Sequence, residues 1–170
     1  MKKAPFLTVL ILTIALLGGC GTLSKKDVTP ALDNGSFSAT VNGTKWEGAY
    51  CAALAGGTAS NVTLAVIMRK SDKEVKGEDA INLGINNFKG VGTYTLAATA
   101  ATQGFVNAVY QGVSYQSVVS GTIKITESTA PASILSPGKV VGEITATIKV
   151  ITGSQTLTIT NGKFTAIRVL

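Results

Sequence analysis

The chain has no histidine, and that absence excludes more chemistry than any motif present supplies. Ser-His-Asp and Cys-His nucleophile systems are ruled out, and the commonest zinc ligand is missing. Cysteine is nearly as scarce, with Cys20 and Cys51 the only two. Aromatic residues make up 6% of the chain and Trp46 is the single tryptophan, so the core needs most of the rings it has. Long runs of like charge are also absent: Lys45, Lys89, Lys124, Lys149, Lys163 and Arg168 stand singly. A nucleic-acid binder gathers its positive charge on one face or helix. Scattered lysines on strands instead keep an outer face soluble and discourage edge pairing. No nucleic-acid partner is expected.

The chain does carry an address. Met1-Lys2-Lys3 precedes the apolar run Phe6 to Leu17, and Leu17-Gly18-Gly19-Cys20 follows. This pattern reads as a bacterial lipoprotein signal: a charged start, an apolar stretch, then small residues before a cysteine that can be acylated. The run is about a dozen residues, short of the ~20 that a helix needs to span a bilayer. Residues 1–19 are therefore expected to be a signal peptide, 20–35 a lipid-anchored flexible tether, and 36–170 a single domain. A lipid on Cys20 holds everything downstream at a membrane surface without spanning it. Residues 20–170 keep thirteen basic side chains against nine acidic ones, a net +4. Lys25 and Lys26, rather than an acidic cluster, follow the cysteine, which favours the periplasmic side of the outer membrane over the cell surface. With Cys20 lipidated, Cys51 has no disulfide partner. It reads as a small buried hydrophobe, with no histidine to activate it.

From Ser36 onward, β-branched residues, short alternations and Asn-Gly or Gly punctuation dominate. Phe37, Ala39 and Val41 alternate with Ser38 and Thr40 before Asn42-Gly43, a pair suited to a two-residue turn with φ > 0 at both central positions. The run Val62 to Arg69 predicts a strand buried on both faces. Lys70 to Asp79 reads as a loop, and Ile81 to Ile85, Gly92 to Leu96 and Phe105 to Tyr110 as strands. Ser114 to Thr126 predicts a strand bent or broken at Gly121. Ile144, Ala146 and Ile148 alternate with polar residues, and Thr156 to Val169 reads as a hairpin turning at Asn161-Gly162. The expected fold is all-β: one antiparallel β-sandwich or flattened β-barrel of about 8–10 strands.

Two segments carry a resemblance. Phe37-Ser-Ala-Thr-Val-Asn-Gly-Thr-Lys-Trp46 resembles an F-x-A-x-x-[ND]-G-x-x-W start. Val141-Gly-Glu-Ile-Thr-Ala-Thr with Thr158-Ile-Thr-Asn-Gly-Lys-Phe164 resembles a matching closing signature, with Ile144 where an aromatic is common. With Gly92-Thr93-Tyr94 between them, the chain resembles an uncharacterised family of small β-rich lipoproteins of the Bacteroidota, over roughly Phe37 to Val169. The resemblance implies a compartment and an architecture; that family has no established activity, so it transfers no site residues.

Groups able to do chemistry are few. No catalytic residue, metal site or cofactor is expected. Asp72, Glu74, Glu78 and Asp79 share one polar loop with Lys70, Lys73 and Lys76, a solvated arrangement without the order of an EF-hand. A carboxylate-only hydrolase would need two acids, such as Glu47 and Glu143, to converge in a cleft. Trp46, Tyr94, Tyr110 and Tyr115 are the candidate ligand-binding residues if they line a pocket; Trp46 is expected rather to plug one end of the core behind the first hairpin, and core and edge positions account for the tyrosines equally well. The sequence thus points to a non-catalytic, lipid-anchored binding module for a small-molecule, glycan or protein partner, or alternatively to an accessory subunit of an envelope assembly. A large internal cavity would favour a small ligand, and a filled core with an exposed apolar patch would favour a protein.

Overall fold

The structure is a computed structural model that describes residues 35–169 apart from 59, 74, 100, 101, 134 and 135. Cys20, the signal before it and the tether up to residue 34 lie outside the described residues. The all-β expectation holds, with no helix among the described residues. The strands are β1 (Ser36–Val41), β2 (Thr44–Gly48), β3 (Tyr50–Thr58), β4 (Asn61–Arg69), β5 (Ala80–Ile85), β6 (Gly92–Ala97), β7 (Gly104–Tyr110), β8 (Val113–Tyr115), β9 (Ser117–Thr129), β10 (Gly138–Lys149) and β11 (Thr156–Val169). They join one curled sheet, an open half-barrel, in the order β6-β9-β10-β11-β3-β4-β5-β7-β8, with the β1–β2 hairpin branching from β11.

Local chemistry accounts for the first hairpin. Asn42 and Gly43 have φ of 46° and 80°, the double left-handed conformation that matches strand twist. The pairing Val41↔Thr44 closes the hairpin around them. The chain then continues in the same direction from β2 into β3 through Gly48 and Ala49. β3 takes over the edge of β11 where β1 leaves it: Ser36 pairs with Thr165, while Ala52 pairs with Ile167 in parallel. Among the described residues this is the one parallel pairing in an otherwise antiparallel sheet. A Cβ on Gly48 would lie 2.6 Å from the Phe37 ring and closer still to the Arg69 carbonyl, so the bend needs a bare residue there.

The fourteen residues of β11 correct the sequence reading. Asn161-Gly162 does not turn the chain. β11 runs unbroken from Thr156 to Val169, paired to β10 on one side and to β1 on the other across that point. Both pairings shift register there, and Asn161 alone takes φ of 52°. The dipeptide is therefore a β-bulge, one extra residue in left-handed conformation. The bulge explains the slip in the alternation: Leu157 and Ile159 face the core before it, and Phe164 and Ala166 after it.

Two smaller expectations also change. The long late strand breaks at Gln116, between β8 and β9, rather than at Gly121. β4 is buried on one face only: Leu64, Val66 and Met68 point inward while Ile67 is 37% exposed.

The concave face of the sheet is filled. Its buried residues run from Phe37 and Val41 through Leu64, Leu83, Val106, Ile123, Ile148 and Leu157 to Phe164, and among the described residues no polar or charged residue is buried. Each large aliphatic so buried contributes about 1.5–3 kcal/mol. The open seam is pinned at two points. Gln103 donates its backbone N–H to Thr95 O and accepts from Asn86 N through its carbonyl, both at 2.8 Å, so it bridges the end of β5 to β6. Its side-chain Oε1 accepts from Thr95 N, also at 2.8 Å. At the other end Gln116 N donates to Lys149 O at 3.1 Å.

Candidate binding surface

The four aromatic candidates divide by burial. Trp46 is 3% exposed, with its ring centroid 4.2 Å from that of Phe37; it plugs the core beside the first hairpin. Its indole Nε1 is buried without a hydrogen-bond partner, a cost of about 1–3 kcal/mol set against the apolar area of the ring. Tyr94 is buried, and its hydroxyl donates to Gly90 O at 2.7 Å and accepts from Lys89 N at 3.1 Å, fixing the turn before β6. Tyr115 is buried and Tyr110 half-buried against the core. None of the four lines either of the two concavities described below.

The other reactive groups have structural work. Cys51 is fully buried, and burial pushes its thiol up to about 12, so at neutral pH it stays protonated and inert. Asp79 accepts from Gln111 N at 2.7 Å and lies 3.5 Å from Lys70 Nζ, tying the β4–β5 connection to the β7–β8 turn. Glu78 accepts from Ser71 Oγ at 2.6 Å. Among the described residues no group of three His, Cys, Asp or Glu could hold a metal ion.

The outer, convex surface falls into two unlike halves. Across β6, β9, β10 and β11 it is hydroxylic: Thr95 pairs with Thr122, Thr122 with Thr145, and Thr147 with both Ser120 and Thr158. One charged row crosses this half, in which Glu47 pairs with Ser38, Ser38 with Lys163, Lys163 with Glu143, and Glu143 with Lys124. A shallow concavity of about 430 Å³ lies over it, lined by Glu47, Lys163 and Glu143 among others. The two carboxylates thus share a depression, but the register puts them three strands apart, about 14 Å along the sheet. A glycosidase pair needs roughly 5–9.5 Å. Each acid also faces its own lysine, Glu47 to Lys45 at 2.8 Å and Glu143 to Lys124 at 4.0 Å.

The other half, over β3, β4, β5 and β7, is apolar. Leu54 and Phe105 are 48% and 41% exposed. They belong to one cross-strand row, Val169–Leu54–Ala65–Gly84–Phe105, in which the Phe105 ring lies over bare Gly84. Beside this row, beneath residues Val75 to Glu78 of the β4–β5 connection, is a cleft of about 800 Å³. The register explains its floor: Tyr50, Arg69, Ala80 and Val109 form one row, and Ile67 and Asn82 stand in the next. The Arg69 guanidinium sits 4.2 Å above the Tyr50 ring, and its Nε is 3.8 Å from Glu78 Oε1. That separation is too long for a hydrogen bond, and both atoms are buried without a hydrogen-bond partner. The Asn82 amide donates to Asn107 Oδ1 at 3.0 Å. The cleft therefore combines apolar walls with a cation held between an aromatic ring and a carboxylate, a mix of apolar lining and a few placed polar groups common to binding clefts.

Sequence reasoning singled out none of Tyr50, Ile67, Arg69 or Asn82. The available signal was the outward phase of β4, where Ile67 and Arg69 alternate with the core residues Val66 and Met68. Comparison with protein-family profiles, curated proteins and solved structures finds no match for this chain.

Proposed function

We propose that this protein is a lipid-anchored, non-catalytic binding module of the bacterial envelope, held through Cys20 on the periplasmic side of the outer membrane. Its recognition site is the Arg69 cleft with the apolar row beside it. The observation that carries this proposal is the convergence of Tyr50, Arg69, Glu78 and Asn82 under one loop, next to exposed Leu54, Ile67 and Phe105. Apolar side chains of the described residues occupy the concave face, and an open cleft beside an exposed apolar row favours a segment of another protein. The same exposed apolar row also supports the accessory-subunit alternative, in which that partner is a permanent neighbour in an assembly.

Native mass spectrometry of the lipidated protein, gently extracted from its host's envelope, tests the site. A partner retained by wild type and lost from both Arg69→Ala and Tyr50→Ala is the expected result. Equal retention by all three would move recognition elsewhere. The anchor is tested separately: Cys20→Ala should abolish labelling by radioactive palmitate, and persistent labelling would refute it.

A further inference from the structure

Among the described residues the sheet has three terminal strands, β6, β8 and β2. Gln103 and Thr102 cover β6, supplying acceptors for Thr95 N and Ala97 N. β8 is only three residues long. β2 is five residues long and pairs with β1 alone. Its register shows which groups are free. In a two-residue hairpin the residues flanking the turn form a hydrogen-bonded pair, and such pairs recur at every second position. Val41↔Thr44, Ala39↔Trp46 and Phe37↔Gly48 are those pairs. The backbone N–H and C=O of Lys45 and Glu47 therefore point away from β1, and these two side chains are 75% and 53% exposed.

We infer that β2 is a self-association edge, pairing antiparallel with β2 of a second copy of this chain about a two-fold axis at Trp46. With Trp46 on the axis, Lys45 falls opposite Glu47 of the second copy, and Glu47 opposite its Lys45. The free backbone groups of 45 and 47 then meet in two hydrogen-bonded pairs, four bonds in all. The charges are self-complementary under the same rotation, as an isologous contact requires. The Lys45–Glu47 pair, 2.8 Å apart within one strand, exchanges for two pairs directly across the edge, where opposite charges stabilise and like charges repel. Any other in-line register of two β2 strands sets Lys45 opposite Lys45 or Glu47 opposite Glu47, or leaves both unpaired. The charges that discourage promiscuous edge pairing thus permit one partner and one register. A five-residue edge is a small contact, and confinement of both copies to one membrane by the proposed lipid raises their effective concentration.

Cysteine cross-linking of full-length protein in intact host cells tests the register. Directly opposite residues of a hydrogen-bonded pair lie about 5.5 Å apart at Cα, within disulfide reach. Lys45→Cys and Glu47→Cys are made separately, co-expressed with different tags, and oxidised. The mixed 45–47 cross-link should form several-fold more than 45–45 or 47–47. Lys45→Glu should abolish dimers captured by an amine-independent photo-cross-linker, and adding Glu47→Lys should restore them. No dimer in wild type, or cross-linking without preference for 45–47, overturns the inference. Loss that the charge swap does not rescue overturns it equally.

Discussion

Substitution at Gly162 separates a bulge from a turn. In a two-residue hairpin turn both central residues have φ > 0, so glycine at 162 would be needed for its conformation and asparagine would substitute tolerably. In the structure only Asn161 is left-handed, and Gly162 is bare for a different reason. A Cβ there would lie 2.7 Å from the Ile144 carbonyl oxygen and closer still to Ile144 Cγ2. The side chain of Ile144 can rotate, but its carbonyl belongs to a strand hydrogen-bonded on both sides and cannot withdraw. Such overpacking costs about 1–3 kcal/mol. For a domain of about 135 residues each kcal/mol shifts Tm by roughly 3–5 °C. Gly162→Ala is therefore expected to lower Tm by about 3–15 °C, Gly162→Val by at least as much, and Gly162→Asn by as much as alanine. Asn161→Gly should stay within about 1 kcal/mol of wild type, because glycine takes the same φ freely. Calorimetric melts of the four variants decide the matter. A Gly162→Asn variant that melts within 1–2 °C of wild type, while Gly162→Ala falls, would refute the bulge and restore the hairpin.

The remaining tests address the seam, the buried thiol and the glycines that face aromatic rings. Gln103→Ala removes the side-chain acceptor of Thr95 N and should cost about 1 kcal/mol, with faster hydrogen exchange at Thr95 than at Thr122 as the specific readout. Cys51 has an ordinary value of 9.0 unfolded and about 12 folded, so the fold keeps a proton that the unfolded chain loses. Its effect is nil below pH 9, and stability falls as pH rises from 9 towards 12, by about 1 kcal/mol per unit. Wild type should therefore lose more stability than Cys51→Ala between pH 8 and pH 10 in urea titrations, and parallel losses would count against the buried thiol. At Gly84 the three atoms nearest an added Cβ all belong to the exposed Phe105 ring, which can swing into solvent, so the Tm of Gly84→Ala should change little. Gly142→Ala meets the buried Phe164 ring at 2.6 Å and the Lys124 carbonyl at 2.7 Å, and should lose several degrees. The reverse order would show that ring mobility does not govern these sites.

Local rules settled much of this protein in the sequence itself. β-branched alternation with Asn-Gly and Gly punctuation determined an all-β domain, because period-two patterns can bury only one face of a strand. Asn42-Gly43 predicted the first hairpin, and both residues are left-handed in the structure as that turn requires. The missing histidine and the presence of only two cysteines limited the available chemistry, whatever the fold. The tertiary structure decided what depends on partners distant in sequence. Asn161-Gly162 and Asn42-Gly43 read alike locally. Only flanking strands on both sides of β11, drawn from opposite ends of the domain, hold the chain straight through the first and convert it to a bulge. The parallel contact of β3 with β11 likewise exists because β1 releases that edge at Thr165. The Arg69 cleft was illegible for the same reason: Tyr50, Arg69, Ala80 and Val109 span sixty residues of sequence, and only the cross-strand register of β3, β4, β5 and β7 sets them side by side.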